Sequence, residues 1–383
     1  MVSRISAGFV AVLVGYTSSV AIVFQAAHAA GAPPQVVSSW LWALGIGMGV
    51  TCIGLSWWTK EPILTAWSTP GAALLAGALP GLALSETIGV FILASALIAL
   101  TGLLGAFDRV MRYIPTALAS AMLAGVLLRF GIGAFEGLET HTALIAVMFG
   151  FFLVTKRFLP RYAIPITLGA GLFWLWISNG FTGTAIAWQW ATPVLTMPSF
   201  SWASALGVAV PLYVVTMASQ NVPGLTVLRA NGYKTPISPV LKVTGLTGLI
   251  LGPFGGFQYN LAAITAAICM SPDADPDSGK RYQAAMWAGV FYLALGLLGA
   301  TVATLFAALP AAFVVAIAGL ALLPTIANSL HQALQEPLQR EAAAVTFLVT
   351  ASGITLVGVS SAFWGLLLGL LTARILDVRS KGT

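Results

Sequence analysis

The stretch "TAWSTPGAALLAG", residues 65–77, falls where a membrane span should run unbroken. Trp67, the Ser68–Thr69 pair and Pro70–Gly71 would break an ordinary transmembrane helix, leaving backbone polar groups facing hydrocarbon. The preceding "PILTAW" (62–67), with Pro62 and β-branched residues, suits extended backbone. Thr69 then reads as a helix N-cap with Pro70 at the first helical position, where a missing N–H costs nothing. These residues predict a short extended segment followed by a half-helix that starts near mid-membrane.

The rest of the chain requires a membrane. Of 383 residues 58% are apolar and only 7% charged, against about 25% charged in a soluble domain. Apolar runs recur from residue 5 to residue 376 without a long polar linker, so the chain reads as one all-α polytopic membrane domain, 1–383. The first run, Ile5–Ala27, exceeds the roughly 7–15 residues of a signal-peptide core despite the "AHA" at 27–29, and is read as a span. Cys52 and Cys269 lie in apolar surroundings without metal-ligand spacing and read as packed thiols. No metal or cofactor is expected. The net charge of +6 resides in small groups between spans, which fits positive loops rather than nucleic acid.

With about 20 apolar residues per crossing, the chain divides into fourteen spans. They are 5–29, 35–58, 62–80, 85–107, 113–133, 140–156, 162–180, 202–222, 238–252, 256–271, 283–305, 310–330, 341–357 and 361–376. Alternating the ends puts sixteen of the 17 Lys and Arg on the side holding the N-terminus and Arg129 alone on the other. One crossing more or fewer in the middle would scramble that split. By the positive-inside rule both termini are expected in the cytoplasm, with the chain in the inner membrane.

A second interruption, "GPFGGFQYNLAAITAAI" (252–268), opens with Gly, Pro and aromatics and is expected to turn helical after Asn260, read as another N-cap. Its span runs opposite to the third, so both half-helices start near the midplane with their N-termini facing. Thr69 and Asn260 are 191 residues apart, and Gln25 and Gln220 are 195 apart. Seven spans separate each pair, so two seven-span repeats, 1–180 and 202–376, would be inserted upside down relative to each other. Transporters of that kind present discontinuous helices to a substrate.

The segments "PILTAWSTPGAALL" (62–75), "VTMASQNVPG" (215–224) and "LAAITAAIC" (261–269) resemble the signature segments of the BenE-type benzoate/proton symporters, and the similarity extends along nearly the whole chain. That family is similar in architecture to nucleobase/ascorbate and sulfate/bicarbonate-type carriers. The resemblance implies a core of spans 1–4 and 8–11, a gate of spans 5–7 and 12–14, and benzoate or a related aromatic carboxylate imported with a proton. Independently, two helix N-termini suit a carboxylate, and Trp67, Phe257 and Tyr259 beside the breaks suit an aromatic ring, with packing the alternative for each.

Ser68, Thr69 and Asn260 are candidates as caps or ligands, with the backbone of Gly71 and Leu261 beside them. Gln220 and Asn221, late in the eighth span, offer amide donors to a carboxylate or to a broken backbone, and Gln25 is their weaker counterpart in the first span. Nucleobase-type relatives carry acids on the eighth and tenth spans, whereas this chain has Ser219, Gln220 and Asn221, then Tyr259 and Asn260. An anionic substrate explains their absence, because a neighbouring carboxylate would repel it. For the proton, Glu86 is the first candidate, paired with Arg129, and His28 the second; the substrate carboxyl itself is a third route. Most other acids, including those of "SPDADPDSGKRY" (271–282), read as loop residues without the Ca²⁺-loop pattern.

There is no "GxxxxGK[ST]" to power a pump and no nucleophile–base pair of an enzyme. The leading expectation is a secondary active transporter. The alternatives are a carrier of another planar substrate such as a nucleobase, a carrier of a small inorganic anion, or an anion channel. Apolar gate faces suit either a homodimer or lipid.

Overall fold

The computed structural model describes residues 1–113, 115–178, 180 and 188–380. In chain order the helices of the first half are α1 (Val2–Thr17), α2 (Val20–Ala29), α3 (Pro34–Thr59), α4 (Thr69–Ala78), α5 (Leu84–Leu103), α6 (Phe107–Tyr113), α7 (Thr116–Glu136), α8 (Thr142–Phe158) and α9 (Ala163–Ile177). The second half has α10 (Trp202–Ser204), α11 (Val210–Thr216), α12 (Val222–Ala230), α13 (Ile237–Leu251), α14 (Ile264–Met270), α15 (Tyr282–Leu297), α16 (Gly299–Ala307), α17 (Ala311–Gln335), α18 (Arg340–Ser352) and α19 (Ser361–Ser380). Two three-residue strands, β1 (Thr65–Trp67) and β2 (Tyr259–Leu261), complete the fold.

Seven helical stretches among the described residues are long and apolar enough to cross a membrane, including the continuous runs Val2–Ala29 (α1–α2) and Trp202–Ala230 (α10–α12), or eight if the α15–α16 pair, bent by 63°, is one span. The chain is therefore a multi-pass membrane protein. The remaining sequence-read crossings coincide with shorter or broken elements, such as the ten residues of α4 and the seven of α14.

The breaks come together. β1 and β2 pair antiparallel with Thr65 opposite Leu261, Ala66 opposite Asn260 and Trp67 opposite Tyr259. Pairing supplies the backbone partners that an extended segment inside an apolar bundle needs. Two expectations about the caps are corrected. Ser68, not Thr69, caps α4, its Oγ accepting from the Gly71 N–H at 3.1 Å, and Thr69 is the first helical residue. Asn260 caps nothing: it sits in β2, and α14 starts only at Ile264, after Ala263, with no side-chain cap. Strand pairing holds residues 259–261 extended, and the Ala262 N–H bonds the Leu64 carbonyl at 2.9 Å, which delays the helix.

The helix contacts have a two-fold character. α3 packs on α15 as α13 packs on α5; α8 packs on α9 as α18 packs on α19; α1 meets α14 as α11 meets α4. Each pair maps onto its partner when the halves of the chain are exchanged, and β1–β2 maps onto itself. Small residues set the closest approach, with Gly45 and Gly49 of α3 against Gly296 and Gly289 of α15.

Between the halves, residues 188–201 run without regular structure across the ends of the helices. Val194 N–H bonds Ser39 Oγ at 2.8 Å, Thr196 N–H the Pro253 carbonyl at 2.9 Å and Ser199 N–H the Ser85 carbonyl at 2.9 Å.

At the other end, Arg4 Nε donates to Asp275 Oδ2 at 2.6 Å, tying α1 to the loop after α14. That hydrogen bond, followed by one from the Asp277 N–H, holds the Asp275 carboxyl below the usual carboxylate range. The folded state thus binds this proton less readily than the unfolded chain. The contribution is complete above the ordinary carboxylate value of about 4 and is lost as pH falls through the lower folded value. Asp275→Asn is expected to lower the thermal midpoint at neutral pH, with the gap to the unsubstituted protein closing in acid. A gap that stays constant down to the acid limit would contradict this.

Candidate functional site

A cavity of about 670 Å³ lies where the broken elements meet. Its walls come from the α1–α2 junction, the start of α4, the stretch from Ala218 to Pro223 between α11 and α12, the residues leading into α14, and from α7 and α17 opposite.

Each wall has a local cause. Three consecutive hydroxyls open the first helix: Thr17 Oγ1 donates to the Leu13 carbonyl at 2.6 Å, and Ser18 and Ser19 both donate to that of Gly15, at 3.0 and 2.7 Å. Such back-bonding bends helices, and here it separates α1 from α2. Ser19 Oγ in turn accepts from Trp67 Nε1 at 2.8 Å, while the Trp67 N–H points at the Met48 sulfur at 3.1 Å. The Trp67 ring lies 5.1 Å from that of Tyr16, tilted by 57°. Tyr16, Trp67 and Tyr292 give the cavity an aromatic side.

In the helical run Trp202–Ala230 the residues Met217–Asn221 form a π-turn. The turn shifts the face of the helix, bringing Ala218, Ser219 and Gln220 to the cavity and turning Asn221 inward. Asn221 Oδ1 accepts from the Leu261 N–H at 3.0 Å, so this amide clamps β2. π-turns recur at functional positions in helices.

Of the eleven residues expected at the site, Trp67, Thr69 and Gln220 line the cavity. The other eight stand behind it or apart from it. Ser68 is fully buried, accepting from Thr216 Oγ1 at 2.8 Å besides capping α4. Gly71 uses its N–H on that cap, and a Cβ there would stand 2.7 Å from Leu212. Phe257 packs on Phe91, and Tyr259 sends its hydroxyl to the Ala43 carbonyl at 2.7 Å. Asn260 turns its Nδ2 to the Leu261 carbonyl at 3.0 Å, leaving Oδ1 buried without a partner. Gln25 on α2 also has a buried Nε2 without a partner, but does not line the cavity.

Neither proton candidate lines the cavity. Glu86 opens α5, half-buried, and accepts from Ser201 Oγ. The expected Glu86–Arg129 pair is absent: the ion pairs among the described residues are Arg4–Asp275 and Lys280–Asp277. Arg129 is exposed and lies over Gly353, beside the turn after α18. His28 is exposed in the last turn of α2.

The sequence reading missed the wall supplied by α17. Ala321, Thr325, Asn328 and Gln332, with Pro324 and His331 beside them, face the cavity at helical spacing. Gln332 Oε1 accepts from Ser120 Oγ of α7 at 3.0 Å. Asn328, His331 and Gln332 are exposed, so the cavity opens at the end of the molecule that holds the C-terminus of α17. The signal was a polar residue at every third or fourth place in an otherwise apolar span.

Chemically, the described lining carries hydroxyls, amides and one imidazole but no Asp, Glu, Lys or Arg. No group of three or more His, Cys, Asp or Glu able to hold a metal occurs among the described residues. Both half-helix N-termini border the cavity, but differently. On α4 the Gly71 and Ala72 N–H groups are taken by Ser68. The start of α14 has no side-chain cap, and Ala263 and Thr265 line the wall there.

Comparison with known proteins bears on the fold and the family. The chain is similar to the murine Solute Carrier 26 member A9 anion transporter in the inward-facing state (14% identity, TM-score 0.61, covering 100% of this chain and 69% of that one). It is also similar to the transmembrane domain of the cyanobacterial bicarbonate transporter BicA (15%, TM-score 0.61, 98% and 97% covered). At such identities the likeness concerns the fold, which fits that of an inverted-repeat transporter. By sequence the chain is 51% identical to the inner membrane protein YdcO of Escherichia coli K12 over 97% of its own length and 95% of that protein. It is 39% identical to the benzoate membrane transport protein of Acinetobacter baylyi, with 97% and 94% covered. The model of the family described as BenE, benzoate membrane transport protein, matches residues 1–375. With that match running almost end to end, the chain belongs to the BenE family of membrane transporters.

Proposed function

We propose that this protein is a secondary active carrier that imports benzoate or a related aromatic carboxylate together with a proton. The observation that carries the reading is the cavity itself: aromatic on one side, lined by hydroxyls and amides, free of described acids, and bordered by two half-helix N-termini. Carboxylates are favoured at the positive end of a helix, and an apolar wall holds the ring. The uncapped start of α14 supplies more of the unengaged N–H groups than α4, so the carboxylate lies toward Ala263 and Thr265, with its ring toward Trp67 and Tyr16. The name of the Acinetobacter relative supports benzoate as the first substrate to try.

In this reading the chain makes fourteen crossings in two inverted repeats, 1–180 and 202–376. Spans 1–4 and 8–11 form the core, and spans 5–7 and 12–14 form the gate. The contact pairs that exchange between the halves support it. With both termini cytoplasmic in the inner membrane, the cavity opens to the cytoplasm, and transport moves the core against α7 and α17.

Uptake of radiolabelled benzoate into proteoliposomes, with and without an inward proton gradient and corrected for leakage of the neutral acid through empty vesicles, tests the reading. Protein-dependent, gradient-stimulated uptake that unlabelled benzoate competes and uracil or sulfate does not is the expected result. Competition by bicarbonate or sulfate instead would move the substrate to inorganic anions. Flux without trans-stimulation would indicate a channel.

A further inference from the structure

We infer that His331 is the group through which protons control the anion's access to the cavity. The inference rests on the aromatic-carboxylate reading above and goes beyond it, because neither Glu86 nor His28 reaches the cavity. Among the described lining residues, His331 is the only one of a type that changes charge between about pH 5 and 8. Its ring makes no hydrogen bond or ion pair among the described residues, and the residue is exposed at the open end. Its ring nitrogens are therefore available to water and to an arriving carboxylate.

Its place on α17 gives the role. From Ala321 to His331, both in the lining, is ten residues, roughly 15 Å along the helix, with Thr325 and Asn328 between them on the same face. A carboxylate entering from the open end meets His331 first and then passes a ladder of hydroxyl and amide donors. Protonated, His331 is a cation in a lining that otherwise holds no described charge, and the anion is drawn in. Neutral, it leaves only dipoles. Proton and anion then raise each other's affinity for the open cavity by the same factor, as linkage requires. This yields co-binding without a carboxylate on the eighth or tenth crossing.

Other charges do not take this place. Glu336 stands at the C-cap of α17 itself, and the elements packed on α17 carry His28 on α2, Arg129 and Glu136 on α7, Lys156 and Arg157 on α8, and Arg340 and Glu341 on α18. None of them lines the cavity. Arg340 is held by the Leu334 carbonyl at 2.7 Å, beyond the open end. The cavity's remaining titratable side chains, Tyr16 and Tyr292, are buried phenols on the opposite wall.

Equilibrium binding of radiolabelled benzoate to the purified full-length protein, between about pH 5.5 and 8, tests the assignment. Over this range histidine titrates and the benzoate carboxyl stays ionised. The unsubstituted protein should lose about threefold to tenfold in affinity as pH rises, as expected for one nearby cation in a wet cavity. His331→Gln should bind at the high-pH level throughout, and His331→Arg, a fixed cation, at the low-pH level throughout. Calorimetry in buffers of different ionisation enthalpy should show proton uptake on binding in the unsubstituted protein and none in either variant. A pH slope or proton uptake that survives in both variants overturns the assignment and leaves the benzoate reading intact. An unsubstituted protein that binds no benzoate at any pH removes the substrate reading and, with it, this one.

Discussion

Replacing Gly45 with leucine is expected to leave almost no folded protein in the membrane, whereas the same replacement at Gly54, nine residues along the same helix, is expected to be silent. A Cβ at Gly45 would overlap the Gly296 Cα and stand 2.7 Å from its nitrogen and 2.8 Å from the Tyr292 carbonyl. All three are backbone atoms of α15, so no side-chain rotation relieves the overlap. At Gly54 nothing lies within 4 Å, and the position is exposed. Overpacking a core ordinarily costs about 1–3 kcal/mol; a clash between two helix backbones that pack along their length belongs at or above that upper end. The damage reaches the site, because α3 also supplies Met48, whose sulfur accepts the Trp67 N–H, and the Ala43 carbonyl that anchors Tyr259. Fluorescence-detected size-exclusion chromatography of tagged variants measures the outcome. A monodisperse peak of normal height for Gly45→Leu would mean that α3 and α15 do not approach this closely in the bilayer.

That glycine contact illustrates what a sequence hides. The breaks at 65–71 and 252–260 could be read directly, since Gly, Pro and clustered aromatics within an apolar run have few other uses in a membrane. The pairing of these breaks as β1 and β2 could not, because three residues a side carry no alternating pattern to recognise. Nearness in sequence also misled: Phe257, Tyr259 and Asn260 sit beside the break, yet their side chains are fully buried behind the cavity. Ser68 and Thr69 are equally good caps by composition, and backbone geometry chose Ser68. Glu86 and Arg129 were matched by charge alone, while the structure gives Glu86 to Ser201 of the segment joining the halves. The α17 wall was legible in principle. Thr325, Asn328 and Gln332 repeat at helical spacing, but near the end of a span such residues resemble an ordinary interfacial turn.

Thr69→Trp should abolish uptake while leaving the protein folded, and it separates binding from stability better than any change at Asn260. Thr69 is half-buried, faces the cavity, and its hydroxyl makes no hydrogen bond among the described residues. The cap of α4 belongs to Ser68, so the helix start survives the substitution. An indole placed there projects into the space between Trp67 and the α17 wall, where the substrate ring is proposed to lie. Asn260, by contrast, is fully buried within the β1–β2 pair, and a bulky residue there would break the sheet and say nothing about the ligand. The smaller change Thr69→Val keeps the shape and removes the hydroxyl. If that hydroxyl donates to the carboxylate, the loss should reach about tenfold in affinity, the equivalent of roughly 1.4 kcal/mol for one hydrogen bond. Uptake into proteoliposomes, read beside the thermal midpoint of each variant, distinguishes the cases. Wild-type uptake by a folded Thr69→Trp protein would move the substrate away from the half-helices, whereas background uptake with an unchanged thermal midpoint would tie transport to this cavity.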